Sequence, residues 1–539
     1  MENIKKKLKE FVEFFGKHSD FIGYICLALF FVYMNLEISK YLEVSLESDM
    51  SSELVLAKIL AEEKKIITTS WFYSTEIRFL NTNLIFAPLF MFISNWKTVR
   101  MVGMMIIEII LFVAYYYVAK KVNLKHIPWI AFLVVGAISK DYYKVVILDS
   151  CYVPHLVITL FSVGLLVAIF KDEDKKSKKH YLKICGLMLL AFVGSLEGVR
   201  LPSVTYLPLF VAAVLTCFFK EFDNLKDGNF DFKDETFYLV IVTLLVLMAS
   251  LFGAVFNKEV FPRLGYLFKM DGTEIRYKEF SFDSIGTVIN GWLNVLGYQS
   301  DGILIFTPIQ VIIKPLWAVF IVVLIWATID MIINYKKYEK YELLVLTYYL
   351  TSACIMSLLY IFTDTWYRDR YFLPVSIFAP IVVGMFLKHY RIIWQKVIYL
   401  CFIVLFMLFN TRFQIHFRAD NNEYAVYTQI KDILLKNECY NGISDDHWEG
   451  HNILTELSNG KIETFRLFGE QYEFGASWLQ NVDHSWRRPD GKTYLIIGQS
   501  DEYEVTFNTD VRKYIVYEDD MRTVYIFDDY DQLLSYIKK

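Results

Sequence analysis

Hydrophobic residues gather in long, nearly uninterrupted segments over most of the chain. Eleven segments stay apolar over roughly the 20 residues that a helix needs to cross a bilayer. They lie near 20–38, 98–119, 127–147, 152–170, 181–199, 202–219, 236–256, 314–334, 342–362, 371–387 and 392–410. The pattern predicts a polytopic α-helical membrane protein with about eleven transmembrane helices.

A different pattern begins after Asn410. "NEYAVYTQIKDILLKN" has helical spacing, "GKTYLIIGQ", "RKYIVYED" and "RTVYIFD" are short β-rich runs, and "YDQLLSYIKK" reads as a closing helix. We therefore predict a transmembrane module over 1–410, with a long loop and juxtamembrane helices at 39–97, followed by a soluble α/β domain over 411–539.

The segment Phe79–Trp96 decides which loops face which side of the membrane. It is apolar enough to span. If it does not span, the basic connections "AKKVNLKH", "KDEDKKSKKHYLK", "NYKKYEKYE" and "KHYRIIWQK" fall on the same side as the Lys-rich N-terminus. We predict a re-entrant or interfacial helix here, a cytoplasmic N-terminus and an extracytoplasmic C-terminal domain.

Composition narrows the function classes further. The chain is 55% hydrophobic and has a net charge of only −4, so no nucleic-acid partner is indicated. Its seven cysteines form no CxxC pair, which argues against a disulfide framework or a zinc site. "SDDHWEGH", at 444–451, offers metal-binding residue types without the HExxH spacing, and we interpret it as a structural loop.

An acidic turn follows the first apolar segment in "YLEVSLESDMSSELVLAKILAEE". Its simplest interpretation is an interfacial helix capped by Ser48 or Asp49, with Glu53 one turn further on a solvated face. The alternative is catalytic. A carboxylate can accept the proton of an attacking hydroxyl, and Glu47 or Glu53 nearby would raise its pKa toward neutral pH.

A few cations on the predicted outer face could bind phosphate, because the guanidinium offers a bidentate set of donors. Candidates are Arg370 and Arg368 in "YRDRYFLP", Arg200 in "GSLEGVRLPS" and Arg263 in "FPRLGYLF". Ion pairs with neighbouring carboxylates, or snorkelling to the interface, are the structural alternatives.

Asp149 and His155 enclose another outer turn, "DSCYVPH". They are candidates for acceptor or metal binding, with a capping Asp and an interfacial His as the alternative. Two residues do not define a metal site, so the metal is unassigned and a divalent cation such as Mg²⁺ or Mn²⁺ stays open.

Three motifs, taken in order, resemble the GT-C fold of glycosyltransferases, especially the bacterial and protein-mannosyltransferase-like branch. "DMSSELVLAKILAEE" resembles that family's Asp-led loop helix, although the common "DE" pair is "DM" here. "NTNLIFAPLF" resembles its Pro-containing apolar segment, with Ala87 in place of the first Pro. "YRDRYFLP" resembles its "RY-x-x-P" opening of a late transmembrane helix. The resemblance covers about 1–410, and many members also carry a C-terminal outer domain.

The resemblance implies an inverting, hexosyltransferase-type enzyme of the cell envelope. It would move a sugar from a polyprenyl-phosphate donor to a glycan, lipid or protein acceptor at the outer face of the bilayer. Asp49 occupies the place of the family's catalytic Asp. The late loop would supply the donor-phosphate ligand, Arg370 first and Arg368 second. The loop with Asp149 would bind metal or acceptor.

Two other classes remain as alternatives. A lipid or glycan transporter needs ionisable residues along a path within its spans. Such residues are sparse here, Glu108 being the clearest. A membrane-anchored binding protein without catalysis is the second alternative, although eleven spans exceed what an anchor requires.

Overall fold

The computed structural model of the protein describes residues 2–75, 77–226, 235–268, 276–298, 308–365, 367–389, 393–444, 451–468, 473–475, 479–498 and 505–537. The predicted metal-like loop at 445–450 lies outside these residues.

Helices account for most of the described chain. In chain order they are α1 Glu2–Ser45, α2 Ser48–Glu63, α3 Asn83–Phe90, α4 Trp96–Lys121, α5 Ile127–Ile130, α6 Phe132–Val135, α7 Lys140–Tyr142, α8 Val153–Phe170, α9 Lys178–Ser195, α10 Leu207–Lys226, α11 Glu235–Val260, α12 Phe282–Val295, α13 Pro308–Ile333, α14 Lys340–Phe362, α15 Leu373–His389, α16 Ile393–Asp420, α17 Tyr427–Lys436, α18 His451–Leu457 and α19 Tyr530–Tyr536.

Strands are short and concentrated in the last quarter of the sequence. They are β1 Trp71–Tyr73, β2 Leu267–Phe268, β3 Asn441–Ser444, β4 Glu463–Phe468, β5 Glu473–Gly475, β6 Gln480–Asn481, β7 Thr493–Gly498, β8 Ile515–Glu518 and β9 Arg522–Phe527.

Nine helices within the described ranges are long and apolar enough to cross a membrane. Each coincides with one of the eleven predicted segments, so the membrane class is as predicted while the count of eleven is not confirmed. The nine are His18–Ser45, Trp96–Lys121, Val153–Phe170, Pro202–Phe219, Phe237–Val260, Gln310–Ile333, Lys340–Phe362, Asp369–His389 and Lys396–Asp420.

The prediction of one continuous helix over 127–147 is wrong. Short helices α5, α6 and α7 occupy this stretch, followed by a π-helical turn at Tyr143–Leu148. Gly136 is extended and ends α6, and the side chain of Ser139 then caps α7 by accepting the backbone N–H of Tyr142. The apolar pattern here reflects burial within the fold, not helical continuity.

The other unmatched segment, 181–199, contains α9. This helix has 18 residues but begins with Lys178, Lys179 and Lys183, which lower its apolar character. Phe79–Trp96 contains only the eight-residue α3, too short to span. That agrees with the predicted non-spanning helix, whereas its side of the membrane stays a prediction.

The chain forms two compact units. Unit 1 comprises Met1–Glu37, Glu108–Val255 and Glu274–Ile415, and unit 2 comprises Ile38–Ile107, Phe256–Thr273 and His416–Lys539. The predicted domain boundary after residue 410 stays a prediction, and the compact units divide the chain differently because two earlier segments join the C-terminal part.

Polar contacts between helices organise unit 1. Thr347 on α14 lies 2.9 Å from Thr216 on α10, and Thr351 donates to the carbonyl of Pro208 at 2.9 Å. A reciprocal cap between Glu339 and Glu342 begins α14. These contacts hold α14 beside α10, and α15 packs against α13 and α14 with nearly every residue buried.

Unit 2 is built on a six-stranded sheet in the order β5-β4-β3-β7-β9-β8. β3 runs parallel to β4 and β7, and the remaining pairs are antiparallel. Apolar side chains of the strands and of α19 form the core: Ile443, Phe465, Leu495, Phe527 and Leu533. The C-terminal part of the chain is therefore an α/β domain, as predicted.

A second, three-stranded sheet in unit 2 joins segments that are remote in sequence. β1 from the first long loop pairs in parallel with β2 and antiparallel with β6. Phe72 is opposite Leu267 on one side and Gln480 on the other. This sheet attaches the first loop to the α/β domain within one unit.

Candidate functional site

Arg200 and Arg370, two of the predicted phosphate ligands, line one pocket in unit 1. The pocket is narrow, with a volume of about 20 Å³, roughly the space that one water molecule needs, and we call it the arginine pocket. Its principal lining residues are Tyr152, His155, Arg200, Arg370, Tyr371 and Pro374.

Aromatic rings hold both guanidinium groups in place. The Arg200 guanidinium carbon lies 4.9 Å from the ring centre of Tyr152 and 5.6 Å from that of Tyr371. The corresponding distance from Arg370 to Tyr152 is 5.6 Å. A guanidinium stacked on a ring keeps its in-plane N–H donors directed sideways, where they can meet an anion.

Local sequence explains why the pocket forms at helix ends. α8 begins at Val153 with Pro154 in its first turn, and α15 begins at Leu373 with Pro374 next. Proline suits a first helical turn because its missing N–H would have no intrahelical partner there. Residues from both first turns line the pocket, so the positive ends of two helix dipoles add to the two arginines.

His155 contacts Glu197, a residue that the sequence analysis did not propose for the site. Its Nε2 lies 3.1 Å from Glu197 Oε2, and both side chains are buried. From the sequence, Glu197 is only a carboxylate close to Arg200, in "GSLEGVRLPS". The pairing gives the imidazole a carboxylate partner at the wall of the arginine pocket.

Asp149 is also buried, and its backbone N–H donates to the carbonyl of Lys144. Over the parts of the chain that the structure describes, no group of three or more His, Cys, Asp or Glu side chains could hold a metal ion. The metal role of Asp149 and His155 thus stays a prediction.

A carboxylate cluster that the sequence analysis missed lies close to Arg370. Asp369 accepts hydrogen bonds from Tyr367 Oη at 2.6 Å and Asn294 Nδ2 at 2.8 Å. Gly291 makes the approach possible, because a Cβ there would overlap the Tyr367 hydroxyl. One phenol and one amide therefore hold the Asp369 carboxylate, next to Arg370 in the chain.

Asp141 interacts electrostatically with both Asp369 and Arg370. Burial raises the pKa of its carboxyl, repulsion from Asp369 adds to the shift, and attraction to Lys144 and Arg370 opposes it. Burial also raises the pKa of the Tyr152 phenol to about 12, against the pull of Arg200 and Arg370. The phenol at the pocket wall consequently stays protonated and able to donate at neutral pH.

The other two predicted arginines do not line the arginine pocket. Arg368 is exposed at the residue before the turn Asp369–Phe372. Arg263 belongs to unit 2, its side chain is 79% exposed, and it lies 3.4 Å from Glu259 one helical turn earlier. Two of the four predicted phosphate ligands are thus together, and two are not.

Asp49 lies in the first turn of α2, in unit 2. The interpretation of Ser48 or Asp49 as the helix cap is wrong, since Glu47 occupies that position and makes no side-chain cap. Asp49 instead lies inside the first turn, where its negative charge interacts favourably with the positive end of the helix dipole. Its backbone carbonyl accepts the hydroxyl of Ser52 at 2.6 Å.

The carboxylates near Asp49 are bound to cations or amides. Glu53 accepts from Arg78 at 3.2 Å and from Asn83 at 3.2 Å, and Glu47 accepts from Arg418 at 3.1 Å. Glu53 therefore has the contacts of a residue that fixes α2 to the loop that follows it.

Tyr152 and Tyr371 were missed although each is close in sequence to a residue already singled out. Tyr152 lies within "DSCYVPH" and Tyr371 directly follows Arg370. Tyrosines at the ends of apolar segments are also typical of an interfacial belt, which makes them easy to overlook as site residues. A tyrosine adjacent to a candidate phosphate-binding arginine was the signal that could have identified them.

Comparisons with known proteins define the fold class. No family model and no curated protein matches the chain. Among solved structures, the architecture matches a membrane glycosyltransferase of the GT-C class, and nine helices of the described residues are long and apolar enough to span. The chain is therefore a multi-pass membrane protein with the GT-C fold.

One match is the crystal structure of ArnT from Cupriavidus metallidurans bound to undecaprenyl phosphate, with a TM-score of 0.50 at 10% identity over 93% of this chain and 97% of that chain. The archaeal oligosaccharyltransferase AglB from Archaeoglobus fulgidus, in complex with an inhibitory peptide and a dolichol-phosphate, has a TM-score of 0.46 at 10% identity over 90% of this chain and 70% of that one.

Proposed function

We propose that the chain is an integral-membrane glycosyltransferase that takes its sugar from a polyprenyl-phosphate donor. The observation that carries this proposal is the arginine pocket, where two ring-stacked guanidinium groups and two helix N-termini converge. The GT-C fold supports it, as does the undecaprenyl phosphate bound to ArnT.

In the proposed inverting step, an acceptor hydroxyl attacks the anomeric carbon of the donor sugar. A new glycosidic C–O bond forms, the C–O bond to phosphate breaks, and polyprenyl phosphate leaves with the bonding electrons. Arg200 and Arg370 stabilise the negative charge that grows on the departing phosphate. Fixed donors are effective here because they need no reorganisation as the bond breaks.

Asp49 is the proposed general base that accepts the proton of the acceptor hydroxyl. Its support is the motif order in the sequence together with its place at the start of α2. Glu53 is the weaker candidate because its carboxylate already binds Arg78 and Asn83. A divalent cation, Mg²⁺ or Mn²⁺, is proposed only as an activity requirement, to be tested with chelator.

The same proposal has the N-terminus in the cytoplasm and the C-terminal domain outside. The basic connections support this orientation. Both the nine candidate spans and the eleven predicted segments are odd in number, so either count leaves the two ends on opposite sides. Reporter fusions at each terminus test the orientation.

A transporter gains no support from Glu108, the clearest ionisable residue within a span. The side chain is buried and lies 3.3 Å from Asn35 Nδ2, which donates a hydrogen bond to it. That contact suits a polar link between two helices better than a site on a transport path.

Sugar transfer by the purified protein in nanodiscs tests the proposal. A panel of polyprenyl-phosphate sugars is supplied together with a panel of glycan, lipid and peptide acceptors. Release of free polyprenyl phosphate is measured for wild type, Asp49→Asn and the control Asp432→Asn. Asp432 is an exposed carboxylate of unit 2 paired with Lys431. We expect release by wild type and the control, with loss in Asp49→Asn. Equal release by all three proteins would remove Asp49 from the mechanism, and silence from wild type would count against the enzyme.

A further inference from the structure

A second pocket lies wholly within unit 2 and is larger than the arginine pocket. Its volume is about 250 Å³, close to the lower limit of small-molecule sites. Segments from α2, β1, α18, β4 and β6 surround it. Its amide and indole residues are Asn452, Asn459, Gln480, Asn481, Trp71 and Trp96, and we call it the amide pocket.

Four amide side chains at one pocket give it a particular chemistry. Each amide carries both a donor and an acceptor, as does each hydroxyl of a sugar. Asn452 and Gln480 already donate to the carbonyls of Leu479 and Thr464, while Asn459 and Asn481 accept the backbone N–H groups of Trp96 and Asp483. Asn459 and Asn481 therefore present their NH2 groups as donors to the hydroxyls of a ligand. Thr455 and Thr464 add hydroxyls to the same wall. Such a lining matches a ligand rich in hydroxyl groups.

The amide pocket has a rigid wall. The side-chain oxygen of Asn459 accepts the backbone N–H of Trp96 at 2.8 Å. Gly460 has φ +78°, and a Cβ there would come within 3.0 Å of the Trp96 indole. The indole therefore packs directly on a glycine turn, and the wall is formed before any ligand arrives.

The charged side chains at the amide pocket are neutralised in pairs. Lys58 lies 3.1 Å from Glu62, and Glu463 lies 3.3 Å from His484 and also bonds Arg487. Burial alone would raise the pKa of Glu463, but hydrogen bonds from His484 and Arg487 hold it below its usual range. This balance of charge suits a neutral ligand better than an anion or a cation.

Two buried polar atoms at the amide pocket still need partners. Trp71 is 1% exposed and His484 is 5% exposed. Within the described part of the chain, Trp71 Nε1 and His484 Nδ1 have no hydrogen-bond partner. An unpaired buried polar group costs about 1–3 kcal/mol. A ligand with hydroxyl groups in this pocket would relieve that cost.

We infer that the amide pocket binds a neutral, hydroxyl-rich glycan. The pocket binds short oligosaccharides through amide hydrogen bonds, while the indoles of Trp71 and Trp96 form its apolar wall. Identification of this glycan as the sugar acceptor rests on the proposed glycosyltransferase function. Binding of the glycan to the amide pocket does not depend on that function.

Direct binding to the full-length protein in nanodiscs tests the inference. The protein must be prepared without sugar-based detergent, since a maltoside headgroup would itself compete. The probes are short neutral oligosaccharides of hexoses and N-acetylhexosamines, measured by saturation-transfer NMR and calorimetry. We expect wild type to bind at least one of them in the absence of any polyprenyl phosphate.

Two variants and a matched control locate the binding. Asn481→Ala removes one amide of the pocket, and Ile59→Trp fills the space from α2. Asn437→Ala is the control, a half-buried Asn of the same unit whose side chain bonds the carbonyl of Ile433. We expect binding about tenfold weaker or lost in the first two, and unchanged in the control.

Three results would overturn the inference. One is oligosaccharide binding that neither Asn481→Ala nor Ile59→Trp weakens. The second is binding of polar peptides of similar size in place of sugars, and the third is no binding by any probe. Arg370→Ala distinguishes failure of glycan binding from failure of the proposed enzyme, because this variant should impair sugar transfer and leave oligosaccharide binding intact.

Discussion

The two units use arginine in different ways. In unit 2, Arg78, Arg100 and Arg418 each donate to a carboxylate, those of Glu53, Glu456 and Glu47. In unit 1, Arg200 and Arg370 pack over tyrosine rings at the edge of a pocket. The arginines of unit 2 connect segments of the fold, and we propose that those of unit 1 meet a ligand.

An ion pair and an aromatic ring orient a guanidinium in different ways. A guanidinium that binds a carboxylate uses its donors and its charge within the protein. A guanidinium on an aromatic face is oriented by the ring quadrupole, which is a weaker interaction than a buried ion pair. We propose the ring-stacked pair in unit 1 for phosphate recognition. The ion pairs of unit 2 connect Arg78 to α2 within the first loop, α4 to α18, and the end of α16 to Glu47.

Breaking the most buried ion pair should have the largest effect. Arg100 is fully buried and donates from Nη2 to Glu456 Oε2 and to the carbonyl of Met50, each at 2.7 Å. Glu456→Gln leaves the guanidinium charge buried, and we expect a loss of about 3–5 kcal/mol in stability. Thermal unfolding in detergent measures it. The double variant Arg100→Met with Glu456→Leu should recover most of the loss, and a double variant no better than the single one would refute the ion-pair explanation.

Removal of a pocket arginine should reduce catalysis and spare the fold. Arg370→Ala deletes a donor aimed at the departing phosphate, and loss of one such donor lowers turnover about 10²–10³-fold. Initial rates of polyprenyl-phosphate release, with apparent Tm as the folding control, measure the effect. Arg263→Ala is the matched control because that arginine is exposed and belongs to unit 2. Similar losses in both variants would contradict the assignment.

A variant of Glu53 tests whether its carboxylate is structural or catalytic. Glu53→Gln weakens the contact with Arg78 and keeps an acceptor for Asn83, so we expect a stability loss of about 1–2 kcal/mol. Turnover at a temperature where the variant is folded should stay within a few-fold of wild type. A large loss of turnover with unchanged stability would instead return Glu53 to the catalytic machinery.

Asp141 should give the smallest change and a distinctive pH dependence. Its folded pKa is raised, so its ionised form destabilises the folded protein at pH values above that pKa. Asp141→Asn removes this penalty and should raise the apparent Tm slightly at neutral pH. The gain should shrink as pH falls through about 3.9, the ordinary Asp value, and vanish below it, because the carboxyl is then protonated in both states. A gain independent of pH would rule out the electrostatic explanation.

Hydropathy predicted the membrane class well and helix continuity poorly. Segments such as 314–334 and 342–362 stay apolar, have flanking charges and appear as single helices. Segment 127–147 was equally apolar, yet its chain is broken near Gly136 because surrounding helices bury it and satisfy its short turns. Periodicity cannot separate these cases, since burial by protein and burial by lipid select the same residues.

The sequence identified candidate residues best where they lie next to the start of a helix. Arg200 and Arg370 precede helix starts marked by proline, and both reach the arginine pocket. Glu197 was not paired with His155 in advance because the contact joins α8 to the turn after α9. The amide pocket could not be anticipated at all, because it brings residues near 60 together with residues near 480.

The central claim is that the arginine pocket of unit 1 binds the lipid phosphate. Binding of undecaprenyl phosphate to the purified protein, measured by native mass spectrometry for wild type, Arg370→Ala and Arg263→Ala, tests it most directly. We predict affinity at least about tenfold weaker in Arg370→Ala and unchanged in Arg263→Ala. Equal affinity in all three proteins, with each one folded, would contradict the claim.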